Sequence, residues 1–272
     1  MSIEPPRWDL PAPEESGPAK ILTRDDGATI AYRRRDGVGP GIVFLGGFMS
    51  DMNGTKASWL DRYAASRRRA YLRYDAFGHG ASSGDFDEAT VGRWRADAAA
   101  LLDALTEGPQ VLVGSSIGGW IALLAALDRP ARVKALVGIA AAPDATEKLM
   151  WARLPPAMQE KIMRDGYVDL PSQYGEVPYR FTRKLIEDGR NHLVMDKPLP
   201  IQCPVRLLQG MADPDVPWRT ALDLAAHLPG GDVEVTLVKD GDHRLSRPRD
   251  LDLLARTLDE LTAKPSGEQE RL

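Results

Sequence analysis

The stretch that decides the fold lies at residues 110–120 and has the sequence QVLVGSSIGGW. Residues 110–113 predict a short apolar strand, and the apolar run over residues 121–127 predicts a buried helix. Between them stands Ser116, with a glycine two positions away on either side. Small residues there permit a sharp turn, because a side chain would collide with the adjoining strand or helix. The segment therefore predicts a serine presented at a strand–turn–helix junction.

This Gly-x-Ser-x-Gly pattern occurs twice in the chain, because residues 80–84 read GASSG. A mostly polar loop at residues 85–88 (DFDE) follows that second match, and no buried helix is predicted behind it. Context therefore favours Ser116 over Ser82 as a nucleophile on an elbow. An ordinary glycine-rich turn remains the alternative interpretation of residues 114–118.

The composition indicates a globular protein with a sizeable core. The chain has 272 residues, of which 43% are hydrophobic and 27% charged, and its net charge is −4. This charge gives no reason to expect nucleic acid or an acidic membrane as a partner. The single cysteine, Cys203, excludes an internal disulfide and is predicted to be buried at the start of a strand.

Three regions are expected along the chain: a flexible N-terminal arm over residues 1–19, one domain over residues 20–263, and a flexible tail over residues 264–272. No apolar stretch reaches the length of a transmembrane helix, which is about 18 residues. The first residues carry acids and no apolar segment typical of a targeting signal. We therefore expect a cytoplasmic protein.

Strands and helices alternate along most of the domain. A hairpin is predicted at residues 20–33. The remaining predicted strands cover residues 41–45, 70–75, 110–113, 133–140, 205–208 and 233–238. The predicted helices cover residues 55–66, 90–105, 121–127, 218–227 and 250–261. This alternation is typical of an α/β protein with a mostly parallel sheet and helices on both faces.

One segment interrupts the alternation. Residues about 145–200 contain no convincing buried strand, but apolar residues recur there at roughly helical spacing between Met150 and Tyr167. We expect a helical lid inserted over the carboxyl edge of the sheet, where open α/β sheets bind ligands. A core-packed excursion without a substrate role is the alternative.

A serine nucleophile needs a general base, and the chain offers four histidines. His79 precedes the serine and lies in a glycine-rich turn, which favours loop packing. His192 falls in the insertion, and His227 lies near a helix end, where a cation suits the helix dipole. His243 follows the strand at 233–238 and so reaches the carboxyl edge of the sheet. It is the predicted base.

The acid that orients this base is expected after the strand at 205–208. Two carboxylates follow that strand, Asp213 and Asp215, with Pro214 between them. Asp213 leaves the strand directly, and the following proline biases it to an extended conformation. Asp213 is preferred for the orienting role, and Asp215 is assigned to the turn or to the helix start. Asp242 is expected to be a solvated turn residue.

An oxyanion needs backbone N–H donors. The amide of Ile117 opens the predicted helix and is one candidate. The amide of Phe48, in the turn that begins with Gly46 and Gly47, is the second. The competing explanation is that this glycine pair only permits a tight turn. The four histidines show no clustering typical of metal ligands, so no metal and no cofactor are expected.

With these parts in place, the chain resembles the α/β-hydrolase superfamily over residues 20–263. Within it, the chain is similar to the mitochondrial palmitoyl-protein thioesterase and acyl-glucuronide esterase family known as abhydrolase domain-containing protein ten. The matching segments are NGTKA at 53–57, GSSIGGW at 114–120, CPVRLL at 203–208, GM at 210–211 with Asp213, VPW at 216–218 and DHR at 242–244.

The resemblance implies Ser116 as nucleophile, Asp213 as acid and His243 as base. It also implies hydrolysis of S-acyl cysteine thioesters and acyl glucuronide esters, with a small molecule or an acyl-protein as substrate. Because the chain lacks a mitochondrial presequence, the family's compartment is not carried over. The alternatives are an iminopeptidase or a carbon–carbon bond hydrolase on the same scaffold, and a ligand-binding protein without turnover.

Overall fold

The computed structural model describes residues 16–173 and 175–263. Most of the predicted N-terminal arm, residues 1–15, lies outside this described part. The predicted tail over residues 264–272 lies wholly outside it. The domain predicted over residues 20–263 falls within the described ranges except for residue 174.

The described ranges contain ten strands and seven α-helices. The strands are β1 (Lys20–Thr23), β2 (Thr29–Arg35), β3 (Val38–Leu45), β4 (Arg69–Tyr74), β5 (Gln110–Ser115), β6 (Val133–Ile139), β7 (Tyr167–Leu170), β8 (Tyr179–Thr182), β9 (Val205–Gly210) and β10 (Val233–Val238). The helices are α1 (Thr55–Ser66), α2 (Val91–Leu105), α3 (Ile117–Asp128), α4 (Pro156–Asp165), α5 (Arg183–Gly189), α6 (Arg219–His227) and α7 (Pro248–Thr262).

Eight of these strands form one sheet in the order β1-β2-β4-β3-β5-β6-β9-β10. The pairs β1–β2 and β2–β4 are antiparallel. The other pairs in this sheet are parallel. The predicted mostly parallel sheet is therefore confirmed, and the antiparallel strands occupy one edge of it.

Helices cover both faces of the sheet, as predicted. One core cluster joins the sheet to α2, α3 and α6 and includes Leu101 and the fully buried Trp120. A second cluster joins the opposite face to α1 and α7 and includes Leu60 and Leu258. The chain therefore buries its central strands from two sides, which explains their continuous apolar sequences.

The insertion differs in part from the prediction. It contains α4 and α5, but it also contains β7 and β8, which pair as a two-stranded antiparallel hairpin. The sequence did not predict this hairpin, because each strand has only four residues and only two of the eight residues are buried. Val168 is its deeply buried apolar side chain, so no alternating pattern marks the hairpin.

The junction between β5 and α3 has the predicted sharp geometry. Every residue of β5 is buried, and the strand lies between β3 and β6. Ser116 follows it with φ 55° and ψ −122°, a conformation that non-glycine residues rarely adopt. The Ser116 amide donates to the carbonyl of Ile139, 2.9 Å away at the end of β6. Sheet and helix together hold the serine in this strained backbone conformation.

The two flanking glycines are required by backbone packing. A Cβ atom added at Gly114 would lie 2.4 Å from the carbonyl oxygen of Gly118. A Cβ atom added at Gly118 would lie 2.2 Å from the carbonyl oxygen of Leu45 and 2.4 Å from that of Gly46. Real Cβ atoms do not approach backbone oxygens this closely, so α3 can begin against the end of β3 only without a side chain at position 118.

We therefore expect Gly118→Ala to lower the free energy of unfolding by about 3 kcal/mol, because the added methyl group must push two backbone segments apart. Gly231→Ala is the matched control, since nothing lies within 4 Å of its added Cβ atom. The control should change stability by less than about 0.5 kcal/mol. Urea denaturation of both variants measures the difference, and equal stabilities would contradict the packing argument.

Candidate functional site

A cavity of about 470 Å³ lies at the carboxyl edge of the sheet, beneath the insertion. Its floor includes Ser116 and the turn that starts at Gly46, and one wall includes His243. Residues of the insertion, among them Met150 and Phe181, close another side. The volume falls within the range of small-molecule pockets, about 300–1,000 Å³. The structure thus brings the predicted serine and the predicted base to one cavity.

His243 and Asp213 are in direct contact. His243 Nδ1 lies 2.8 Å from Asp213 Oδ2, although the two residues follow different strands, β10 and β9. An ionised carboxylate only accepts, so Nδ1–H donates and the lone pair of the neutral ring is on Nε2. The ring therefore presents a basic nitrogen on the side opposite the carboxylate.

The Asp213 carboxylate is held in place from all sides. Its Oδ1 accepts from the amides of Asp215, at 2.8 Å, and Val216, at 2.9 Å. Its Oδ2 accepts from Gln209 Nε2 at 3.0 Å, in addition to His243. Burial favours the protonated form, but the bonds from His243 and the two amides outweigh it and keep the pKa of Asp213 below its usual range.

Asp213, Asp215 and His243 also form the kind of group that can bind a cation, because one ligand atom from each lies within 4.8 Å of the others. A cation needs oxygen lone pairs directed toward it. The Asp213 oxygens already accept four hydrogen bonds, including the one from Gln209. The donor set therefore fits a hydrogen-bonded carboxylate better than a metal ligand.

The two other acidic candidates have different surroundings. The carbonyl of Asp215 accepts from Arg153 Nη1 at 2.7 Å, and both residues line the cavity. Asp242 is exposed, and its Oδ1 accepts from the amide of Leu245 at 2.9 Å. Asp213 is the acid that the structure places against the histidine ring, and Asp242 lies in a turn as expected.

The turn over residues 46–49 approaches the serine closely. A Cβ atom added at Gly47 would lie 3.4 Å from the Cβ atom of Ser116. The carbonyl of Gly47 accepts from the amide of Ser50 at 3.2 Å, and Met49 has a φ of 53°. Among the residues that the structure describes, none accepts a hydrogen bond from the amide of Phe48.

The Ile117 amide is the second candidate donor, and it opens α3. The first N–H groups of a helix have no partner within the helix and carry its partial positive charge. Ile117 and Phe48 both line the cavity that contains Ser116. The two predicted oxyanion donors are thus next to the predicted nucleophile.

The ring of Phe48 connects this turn to the insertion. It packs against Phe86 and Trp94 of the main domain, with centroid distances of 5.2 and 6.3 Å. It also packs against Tyr179 and Phe181 of strand β8, both at 5.8 Å. The segment predicted to be a lid therefore touches the residue whose amide is a candidate oxyanion donor.

Sequence reasoning gave Lys56 no function, although it lies in the NGTKA segment at 53–57. Its Nζ donates to the carbonyl of Arg244 at 2.5 Å and lies 3.5 Å from Ser246 Oγ. Burial, with the nearby Arg244 charge, lowers the pKa of Lys56 to about 8. Lys56 therefore joins the start of α1 to the loop that carries His243.

The serine and the histidines that sequence reasoning rejected as nucleophile and base have structural contacts instead. Ser82 Oγ donates to the carbonyl of Asp75 at 2.5 Å and accepts from the amide of Ala31 at 2.8 Å. His227 Nδ1 lies 2.8 Å from the Asp223 carbonyl, and His192 packs between the insertion and α2. His79 contacts the turn at residue 49, a link that its glycine-rich sequence context did not reveal.

A profile of the alpha/beta hydrolase family matches residues 42–257. The chain belongs to the alpha/beta hydrolase family. The match covers the elbow serine and the two loops that carry Asp213 and His243, and the predicted fold and superfamily are therefore confirmed.

Two relatives of high similarity indicate which part of the alpha/beta hydrolase family the chain resembles. The chain is 42% identical over 268 residues to "Palmitoyl-protein thioesterase ABHD10, mitochondrial" of Mus musculus, covering 98% of this chain and 90% of the relative. The solved structure of alpha/beta hydrolase domain-containing protein 10 from mouse matches with a TM-score of 0.83 and 41% identity, covering 90% of this chain and 98% of the other. These similarities confirm the resemblance to this thioesterase family.

A bacterial structure is equally similar. A putative hydrolase from Agrobacterium vitis matches with a TM-score of 0.86 and 42% identity, covering 91% of this chain and all of the other. The chain thus shares its fold, over about nine tenths of its length, with a bacterial protein as well as with one from mouse.

The prediction of a cytoplasmic location is wrong. The mouse relative, which matches 98% of the chain, is named as a mitochondrial protein, and this contradicts the prediction. The prediction rested on the acidic, proline-rich first residues, which lie outside the described part of the structure.

Between residues 16 and 263, leaving out residue 174, no helix is long and apolar enough to cross a membrane.

The thiol of Cys203 precedes β9 as expected but is half-buried rather than buried, and it does not line the cavity that contains Ser116. Burial raises the pKa of Cys203 to about 11, so only about 0.1% of this thiol is ionised at pH 8. We expect iodoacetamide at pH 8 to leave the hydrolase activity unchanged, and Cys203→Ala to retain it. Intact-mass measurement follows the alkylation. Loss of activity in step with alkylation of Cys203 would contradict this assignment.

Proposed function

We propose that the protein is a serine hydrolase that cleaves carboxylic esters or thioesters through an acyl-enzyme. Ser116 is the nucleophile, His243 is the general base and Asp213 orients the base. The observation that carries this proposal is the 2.8 Å contact between His243 and Asp213 at a cavity that also contains Ser116. Membership of the alpha/beta hydrolase family supports it, because the order serine, acid, histidine is typical of that fold.

The first chemical step transfers the Ser116 proton to His243 Nε2 while Ser116 Oγ attacks the acyl carbonyl carbon. The charge that develops on the carbonyl oxygen is stabilised by the amides of Phe48 and Ile117. Asp213 stabilises the imidazolium that forms, without taking its proton. The tetrahedral intermediate then collapses, and His243 protonates the departing thiolate or alkoxide.

The second half of the reaction repeats these steps with water. His243 removes a proton from a water molecule, whose oxygen attacks the acyl-Ser116 carbonyl. Collapse of this second intermediate releases the carboxylic acid and returns the proton to Ser116 Oγ. No step uses a metal or an organic cofactor.

The lining of the cavity supports an acyl substrate. The lining includes apolar side chains: Phe48, Ile117, Leu149, Met150, Val177 and Phe181. It also includes polar and charged side chains: Asp51, Lys56, Arg153, Ser172, Asp215 and Arg244. The apolar side chains suit an acyl chain, and the polar and charged side chains suit a polar leaving group. Together with the name of the mouse relative, this favours S-acyl cysteine of a protein as substrate.

The function is tested by Ser116→Ala. We expect turnover to fall at least about 10⁴-fold, because the substitution removes the attacking atom, while the fold is retained. Ser82→Ala is the matched control and should keep its activity. Assays with p-nitrophenyl acyl esters, S-acyl peptides and aminoacyl amides separate esterase and thioesterase from peptidase activity. Wild-type protein that gains no adduct on Ser116 from a fluorophosphonate probe would overturn the proposal.

A second pair of variants tests the acid. Asp213→Asn should lower kcat by about 10⁴-fold, because an amide cannot stabilise the imidazolium and favours the wrong tautomer of His243. Asp215→Asn should retain most of the activity. Steady-state kinetics of both variants on one ester substrate make the comparison, with circular dichroism as the check of folding. The reverse ranking would assign the orienting role to Asp215.

A further inference from the structure

His79 lies directly behind the oxyanion turn. The amide of Met49 donates to His79 Nε2 at 3.1 Å, and Met49 is the residue after Phe48. Met49 has a φ of 53°, which costs free energy for a side-chain-bearing residue and persists only where its surroundings hold it. The peptide unit between Phe48 and Met49 is therefore held from behind by an imidazole nitrogen.

The tautomer of His79 follows from its two neighbours. Its Nδ1 lies 3.1 Å from the carbonyl oxygen of Phe77, which can only accept, so Nδ1–H is the donor. Nε2 then carries a lone pair, as the Met49 amide requires. Burial lowers the pKa of His79, against the opposing influence of the Phe77 carbonyl and Asp75, which favours this neutral form.

The ring cannot turn away from this position. It is buried, and it packs edge-to-face against Phe86 at 5.2 Å and Trp94 at 5.5 Å. Trp94 Nε1 donates to the same Phe77 carbonyl at 3.1 Å. The acceptor at Nε2 is thus fixed by packing on the ring faces and by a hydrogen bond on the opposite nitrogen.

We propose that His79 is a positioning residue for the oxyanion turn: its Nε2 holds the Met49 amide so that the preceding Phe48 amide is directed at the substrate carbonyl. This inference rests on the proposed function. Without the acceptor, the Met49 amide loses its partner in a half-buried position and the strained turn relaxes. Because the oxyanion forms in the transition states and tetrahedral intermediates and not in the bound substrate, the loss falls on kcat and leaves KM nearly unchanged.

A merely structural role is the rival explanation, since the ring also fills space between Phe86 and Trp94. Two substitutions separate the explanations. His79→Gln keeps an acceptor oxygen near the place of Nε2 but loses the ring. His79→Phe keeps an aromatic ring for the edge-to-face contacts but loses the acceptor. A small cavity of about 20 Å³ beside His79 helps to accommodate the extra volume of a phenyl ring compared with imidazole.

We expect His79→Phe to lower kcat by about 10- to 100-fold with KM within about twofold of wild type, because a displaced donor weakens transition-state stabilisation. His79→Gln should retain kcat within about fivefold. The affinity for a trifluoromethyl ketone, which forms an oxyanion on Ser116, should fall in parallel with kcat. The affinity for the fatty-acid product should not change. Equal kcat losses, or a greater loss in His79→Gln, would overturn the proposal.

His227→Gln and His227→Phe are the matched controls, because His227 lies away from the cavity lining, near the end of α6. Thermal unfolding of all variants shows whether they fold. If neither His79 variant folds, nitrogen-15 NMR of histidine-labelled wild-type protein decides instead. An unprotonated, hydrogen-bonded His79 Nε2 at pH 7 supports the inference, and a protonated one overturns it.

Failure of the proposed function gives a different result. In that case wild-type protein itself gains no adduct on Ser116 and shows no turnover. If only the His79 inference fails, wild-type protein remains active and the kcat of His79→Phe equals or exceeds that of His79→Gln.

Discussion

The rest of the structure depends on a backbone contact between the start of α3 and the end of β3. Gly118 lies against the carbonyls of Leu45 and Gly46, closer than any side chain allows. This contact places the Ile117 amide, the elbow serine and the turn after β3 around one point. The geometry at this point thus comes from the main chain at the ends of regular elements, which hold a site more precisely than loops do.

The opposite wall of the site is assembled in a similar way. A Cβ atom added at Gly210 would lie 2.3 Å from the carbonyl oxygen of Gly241, so the loops after β9 and β10 touch through their backbones. The amide of Ala212 donates to the Gly241 carbonyl at 2.9 Å. Asp213 and His243 follow these two contacts directly. Their hydrogen bond is therefore a result of parallel strand pairing, and the side chains have little freedom to separate.

Much of this arrangement could be predicted because its signals are local. The turn at Ser116 needs a glycine two positions away on either side, and continuous apolar runs indicate buried parallel strands. Residues that follow neighbouring parallel strands lie at the same edge of the sheet, which is why the sequence predicts Asp213 and His243 to lie together. The structure brings these two residues into contact, with His243 Nδ1 2.8 Å from Asp213 Oδ2.

The parts that escaped prediction depend on distant contacts. His79 and Met49 are 30 residues apart, and neither carries a pattern that indicates the other. Lys56 and Arg244 are 188 residues apart and meet only because the fold closes at this edge. The β7–β8 hairpin has four-residue strands that are mostly half-buried or exposed, so no periodicity distinguishes it from a loop. Long-range pairs and short, half-buried strands are the features that local sequence cannot indicate.

The ring of Phe48 lies between the insertion and the main domain. Tyr179 and Phe181 of the insertion hold one side of it, and Phe86 and Trp94 of the main domain hold the other. A substitution at either of these β8 positions therefore also disturbs the side chain that follows Gly47, in the turn beside Ser116. The insertion and this turn share one aromatic contact, so a change in the packing of one alters the packing of the other.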